Sequence, residues 1–217
     1  MLTFALPTGR SLAYAIEILS GAGLPVEKLK KAGRNLVIEE GSFRYLLSKP
    51  ADVPAMVYYG VADLALAGSD VIEEAEIALT ELLDTERGKC VMAVAGPAAI
   101  AEKFKGDISG LMGLKVATKY TRVAEKTFAS WGAQIKLLKL HGSVELAPAL
   151  GLSDCIFDIV ETGSTLRANG LIVIKETSPV SLRLVASRGA VQMNWTSMGE
   201  VVESIEKYVK DSAKTIQ

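Results

Sequence analysis

Short apolar runs alternate along this chain with stretches whose apolar residues recur at helical spacing, and that rhythm narrows the folds open to it more than any other feature. Leu2–Leu6 reads as a strand; Ser11–Ser20 then sets Leu12, Ala15, Ile16 and Leu19 on one helical face and stops at Gly21. Arg34–Ile38 and Phe43–Leu47 read as two strands joined through the hairpin-like turn Glu39-Glu40-Gly41-Ser42. Asp52-Val53-Pro54 opens a helix to Tyr59, with proline in the first turn, where its missing N–H costs least. Asp63–Ala67 is a further buried strand, and Ser69-Asp70 opens a short helix.

The middle of the chain repeats the theme. Cys90–Ala95 and Lys115–Ala117 are strands, with the glycine-punctuated connection Lys105–Gly113 between them. Thr121–Ser130 is helical, Ile135–Leu140 a strand, Val144–Leu150 helical and Cys155–Val160 a strand. Leu171–Lys175 and Leu182–Ala186 follow as strands. A final amphipathic helix, from Gly199 to about Ala213, presents Val201, Val202, Ile205, Tyr208 and Val209. Strands alternating with helices predict an α/β fold with parallel sheets covered on both faces. About a dozen strands crowd one sheet, so two small α/β domains around a cleft are expected.

Composition sets the outer limits. Hydrophobic residues make up 49% of the 217-residue chain and charged ones 23%, which supplies a core and rules out a disordered chain. Lys and Arg number 24 against 25 Asp and Glu, so the formal charge of −1 lacks the basic excess of a generic nucleic-acid binder. The uncharged run Val91–Ala101 holds Gly96 and Pro97 and is eleven residues long. A membrane span needs about twenty. Met1–Gly23 has no basic residue ahead of its apolar part and is interrupted by Arg10 and Glu17, unlike a secretory signal, so a cytoplasmic location is expected. Cys90 and Cys155 belong to no close-spaced motif and read as buried free thiols. His141 is the only histidine, which leaves little for a zinc site or a Ser-His-Asp triad.

Chemistry is therefore sought just past the strand ends. The foremost segment is Asp158-Ile159-Val160-Glu161-Thr162-Gly163-Ser164-Thr165-Leu166-Arg167, an apolar strand running into a small, hydroxyl-rich turn that opens a helix. Backbone N–H groups at such a turn suit a phosphate, Thr162, Ser164 and Thr165 add hydroxyl donors, and Gly163 permits close approach. Asp158 and Glu161 flank the turn, fitted to accept hydrogen bonds from the vicinal hydroxyls of a sugar or to hold a magnesium ion. The plainer reading is a strand–turn–helix with a hydroxyl cap.

Three further segments share the pattern. Ala5-Leu6-Pro7-Thr8-Gly9-Arg10 places a cation at a helix start, against the dipole, which points either to an anionic partner or to a solvated arginine. Arg34 faces the same choice. Lys139–Pro148 offers Ser143 as a cap and His141 as a polar rim residue rather than a base. Gly60–Asp70, with Asp63, Gly68 and Ser69, either seats a nucleotide or is simple close packing.

Taken in order, Ala5–Arg10, Asp52-Val53-Pro54, Gly60–Asp70, Gly88-Lys89-Cys90, Ala117-Thr118-Lys119-Tyr120, Gly142–Pro148 and above all Asp158–Leu171 resemble the ATP phosphoribosyltransferase family, the first enzyme of histidine biosynthesis. The match runs from near residue 1 to residue 171 and fits more loosely in its later part. The resemblance implies two α/β domains like a type II periplasmic binding protein, with the catalytic cleft between them. Residues 1–90 with 176–217 would form one domain, and 91–175 the other. It implies transfer of phosphoribosyl from phosphoribosyl pyrophosphate to N1 of ATP adenine, with pyrophosphate released and magnesium accompanying the substrate phosphates.

Residue by residue, the loop for the 5-phosphate and ribose corresponds to Glu161, Thr162, Gly163, Ser164 and Thr165, with Asp158 just ahead. The catalytic arginines correspond to Arg10 and Arg34. The length resembles the short form, which pairs as a homodimer core with a regulatory subunit resembling histidyl-tRNA synthetase in a hetero-octamer. Two positions depart from the pattern, Thr8 and Ser69, where lysine is common. They motivate a catalytically weakened paralogue as one alternative; a small-molecule-binding protein using the same cleft is another.

Overall fold

The computed structural model describes residues 1–214, the side chains of Asn194 and Ala213 aside. In chain order the elements begin β1 (Leu2–Pro7), α1 (Arg10–Gly21), α2 (Glu27–Lys30), β2 (Val37–Glu40), β3 (Phe43–Ser48), α3 (Val53–Tyr58), β4 (Leu64–Gly68), α4 (Ser69–Ala75) and β5 (Thr80–Asp84). They continue with β6 (Cys90–Gly96), α5 (Ala98–Phe104), β7 (Lys115–Thr118), α6 (Thr121–Ser130), β8 (Lys136–Lys139), α7 (Leu146–Ala149), β9 (Cys155–Val160) and α8 (Ser164–Ala168). The last are β10 (Ile172–Val180), β11 (Leu182–Ala186) and α9 (Arg188–Lys214).

The chain divides into two units, one built from Met1–Gly88 with the chain from Ser181 on, the other from Lys89–Val180. The second crossing falls later than residue 175 because β10 continues as far as Val180, antiparallel to β6 and paired with Cys90. Residues 215–217 of the expected first domain lie outside the described residues.

The first unit holds a six-stranded sheet in the order β2-β3-β1-β4-β11-β5. Side chains alternate across it. Phe4, Leu6, Leu64, Leu66 and Leu184 pack with Ile18 and Leu19 of α1 and with Met198 and Ile205 of α9. On the opposite face Ala5, Ala65, Ala67 and Val185 pack with Val53 and Val57 of α3. The small alanines there leave room for α3 to lie close. The second unit holds a five-stranded sheet in the order β10-β6-β9-β7-β8. Ala95, Ala117 and Ile156 pack there with Val144, Ala147, Leu166 and Leu171, while Phe157 meets Phe128 of α6 edge-on at 6.1 Å between centroids.

Both sheets are mixed, which corrects the parallel arrangement that strand–helix alternation predicts. β1 is parallel to β3 and β4, and β7 to β8 and β9. β11 runs antiparallel to β4 and β5, and β6 antiparallel to β9 and β10. In the second unit β6 runs against β7, β8, β9 and β10, and in the first unit β11 runs against β1, β3, β4 and β5. Arg34 also lies outside any strand: β2 begins at Val37, and Arg34 sits in the turn before it.

Candidate active site

In the first unit the pairing register gathers several predicted residues at one sheet edge. Pro7 pairs with Ser48, and β4 runs parallel alongside β1, so Thr8-Gly9-Arg10, Ser48-Lys49 and Gly68-Ser69 all leave the same side of the sheet. The Thr8 N–H donates to the Ser48 carbonyl at 2.7 Å, tying two of these exits together. β2 runs against β3, and the Leu47 N–H donates to the Leu36 carbonyl at 2.8 Å. The turn bearing Arg34 therefore also lies at this end. Gly9 takes φ 78° and ψ −149°, a region closed to side chains, and this lets α1 begin directly at exposed Arg10.

Ser69 is held from across the sheet. Its N–H donates to the Ser181 carbonyl at 2.9 Å, and its hydroxyl accepts the Ser181 N–H at 3.3 Å. Asp63 is not part of this edge. It sits at the opposite end of β4, where its carboxylate accepts the Thr3 N–H at 2.8 Å and its own N–H donates to the Thr3 carbonyl. This corrects its grouping with Gly68 and Ser69: strand direction places it a full strand length away, tied to the backbone of β1.

In the second unit the loop Glu161-Thr162-Gly163 links β9 to α8. Gly163 adopts φ 68°, and a Cβ there would stand 3.1 Å from Nη1 of Arg167, so the turn closes tightly around a small residue with a guanidinium alongside. The Thr162 and Ser164 hydroxyls lie 3.0 Å apart, the Ser164 N–H points to Thr162 Oγ1 at 3.4 Å, and the Arg167 N–H donates to the Gly163 carbonyl. Glu161, Thr162, Ser164 and Thr165 are exposed. This is a preformed turn that presents hydroxyls outward.

Asp158 stands at the base of this loop, only 16% exposed. Burial pushes its carboxyl above the usual aspartate range, and Glu145 adds to that; Lys119 and the Ile159 N–H pull the other way. Oδ1 accepts the Ile159 N–H at 2.8 Å and lies 3.6 Å from Lys119 Nζ. Two cations stand close by, Lys119 beside Asp158 and Arg167 beside Gly163; both lie within strand-end segments of the sequence, but their nearness to these residues follows from strand register and loop closure. His141 is exposed beyond β8, a rim position. Among the described residues no three His, Cys, Asp or Glu side chains gather as a metal cage.

The family model HisG, described as ATP phosphoribosyltransferase, matches residues 49–207. The chain belongs to the ATP phosphoribosyltransferase family. The ATP phosphoribosyltransferase of Geobacter metallireducens is 40% identical over 210 residues, covering 96% of this chain and 98% of that one. That of Caldicellulosiruptor bescii is 41% identical over 216 residues, 97% of this chain and all of its own. A solved chain of the ATP phosphoribosyl transferase (HisG:HisZ) complex from Thermotoga maritima superposes with TM-score 0.81 at 29% identity, covering 97% of this chain and 100% of that one. The Escherichia coli aliphatic sulphonate binding protein SsuA, at 12% identity and TM-score 0.61 over 99% of this chain and 74% of its own, shares the fold alone. The chain is thus a pentosyltransferase of the first step of histidine biosynthesis on a type II periplasmic-binding-protein-like fold, and full-length relatives near 40% identity favour the enzyme over the binding-protein reading.

Proposed function

We propose that the loop after β9 binds the phosphoribosyl group of phosphoribosyl pyrophosphate, which the chain transfers to N1 of ATP adenine with release of pyrophosphate. In this reading Glu161, Thr162, Gly163, Ser164 and Thr165 hold the 5-phosphate and ribose, and Asp158 accepts a hydrogen bond from a ribose hydroxyl. The observation that carries it is the preformed turn at Gly163 with a partly buried carboxylate at its base and outward hydroxyls above. Arg10 and Arg34 stabilise the negative charge that grows on the departing pyrophosphate as the ribose passes through an oxocarbenium-like state. Gly68 and Ser69 lie on the nucleotide side; Asp63 is left to its structural role. Adenine N1 brings its own lone pair, so the step needs no strong general base, and the chain's one histidine takes no part.

Magnesium is assigned to the substrates' own phosphates, in keeping with magnesium's habit of binding through phosphates and few carboxylates. When bound it offsets part of the pyrophosphate charge. The partner assigned is a regulatory subunit resembling histidyl-tRNA synthetase, in a hetero-octamer on a homodimer core; the Thermotoga maritima HisG:HisZ complex supports it. A cytoplasmic setting is assigned with it; among the described residues no helix is long and apolar enough to cross a membrane.

Titration calorimetry of phosphoribosyl pyrophosphate with the wild-type chain and Asp158→Asn tests the assignment. Binding weakened roughly tenfold or more is expected for loss of a charged acceptor. Equal affinity would remove Asp158 from the site.

A further inference from the structure

We propose that Lys119 is a positioning residue for phosphoribosyl pyrophosphate, holding the Asp158 carboxylate in place as acceptor for a ribose hydroxyl. This rests on the assignment of Asp158 to the ribose given above. β7 and β9 run parallel, with Ala117 paired to Ile156. Carrying that register two residues onward sets Lys119, just past the end of β7, beside Asp158.

The lysine is held on two sides. Its Nζ lies 3.6 Å from Asp158 Oδ1 and 4.7 Å from the centroid of the Tyr120 ring, and that ring is buried, so it forms a fixed platform. The contacts of the carboxylate with Lys119 and with the Ile159 N–H both fall on Oδ1. Oδ2 is therefore the oxygen assigned to the sugar. Glu145 acts on Asp158 with a like charge, and Lys119 is the cation that opposes both it and the cost of burial. Without the ammonium, a carboxylate in this position loses the group that fixes its orientation and its charge.

The test is steady-state kinetics on the chain assembled with its synthetase-like partner. It compares Lys119→Met, Lys119→Arg, Asp158→Asn and the Lys119→Met/Asp158→Asn double variant. Lys119→Gln replaces the methionine variant if circular dichroism shows that variant unfolded. Lys119→Met is expected to raise KM for phosphoribosyl pyrophosphate roughly tenfold, with kcat and the KM for ATP within about twofold. Lys119→Arg should recover most of the loss, and adding Lys119→Met to Asp158→Asn should cost nothing further. An unchanged KM in Lys119→Met beside a raised KM in Asp158→Asn overturns the proposal and leaves the ribose assignment standing. An unchanged KM in both overturns the assignment as well. A full additional loss in the double variant places Lys119 directly on a phosphate and ends its positioning role.

Discussion

Asp158 combines burial with the proposed role as a charged acceptor, and together these set how binding should respond to acid. Its folded pKa is raised, chiefly by burial, so the carboxylate takes up a proton at a higher pH than an exposed aspartate does. Protonation removes an acceptor, so the affinity for phosphoribosyl pyrophosphate should fall as pH drops through that raised value. The fold is relieved over the same range, because the cost of burying the charge disappears on protonation. Calorimetric affinity measured against pH checks this; an affinity that holds until ordinary aspartates titrate would contradict it. Cys155 gives a second test. Burial, with Asp154 adding to it, pushes its thiol up to about 12. Iodoacetamide at neutral pH should therefore leave Cys155 unlabelled in the native chain and label it in denaturant. Fast native labelling would show that the strand is open. At Arg34, alanine should lower turnover more than it weakens ATP binding, and lysine should restore part of the rate without the forked donor geometry. Unchanged turnover with weaker binding would sink the leaving-group role.

Most elements were legible where periodicity was clean. Thr121–Ser130, Cys155–Val160 and Leu182–Ala186 fall where the pattern puts them. The failures have physical causes. β5 is an edge strand whose Thr80 and Glu81 dilute its apolar signal. α5 hides within the apolar run Val91–Ala101, since alternation in β6 passes without a polar break into Ala98–Phe104. α9 begins at Arg188, not Gly199; its first turn sets Ala190 and Val191 against the core while Met193 and Trp195 stay exposed, so the apolar residues there trace no single stripe. The contact between α1 and α9 was invisible in sequence and depends on Gly21, where a Cβ would overlap the Tyr208 ring. Arg87 reinforces the same region, donating to Glu17 of α1 at 2.9 Å and Ser212 of α9 at 2.7 Å. Gly21→Ala should therefore cost about 1–3 kcal/mol by overpacking. Adding Tyr208→Leu should return part of it, as read by urea unfolding; an unchanged midpoint in the single variant would mean the ring moves aside freely.

At the scale of the whole molecule, the α/β class and the presence of two sheets were legible because strand–helix alternation over 217 residues exceeds what one sheet holds. The direction of β6 and β11 was not, because antiparallel pairing leaves no mark on a strand's own hydrophobic pattern. Asp63 precedes β4 and Ser69 follows it, so the two stand at opposite ends of the strand, and Asp63 is tied to the Thr3 backbone. The Ser69 hydroxyl accepts the Ser181 N–H, and the Thr8 N–H donates to the Ser48 carbonyl, a backbone bond that is independent of the side chain at position 8. Pyrophosphate release reports on phosphoribosyl transfer to ATP without an intervening step. Phosphoribosyl pyrophosphate and ATP are supplied with magnesium, with and without the synthetase-like partner. Release that requires both substrates and rises with the partner is the predicted result. No release with the partner demonstrably bound would contradict it and leave a chain that keeps the fold without the reaction.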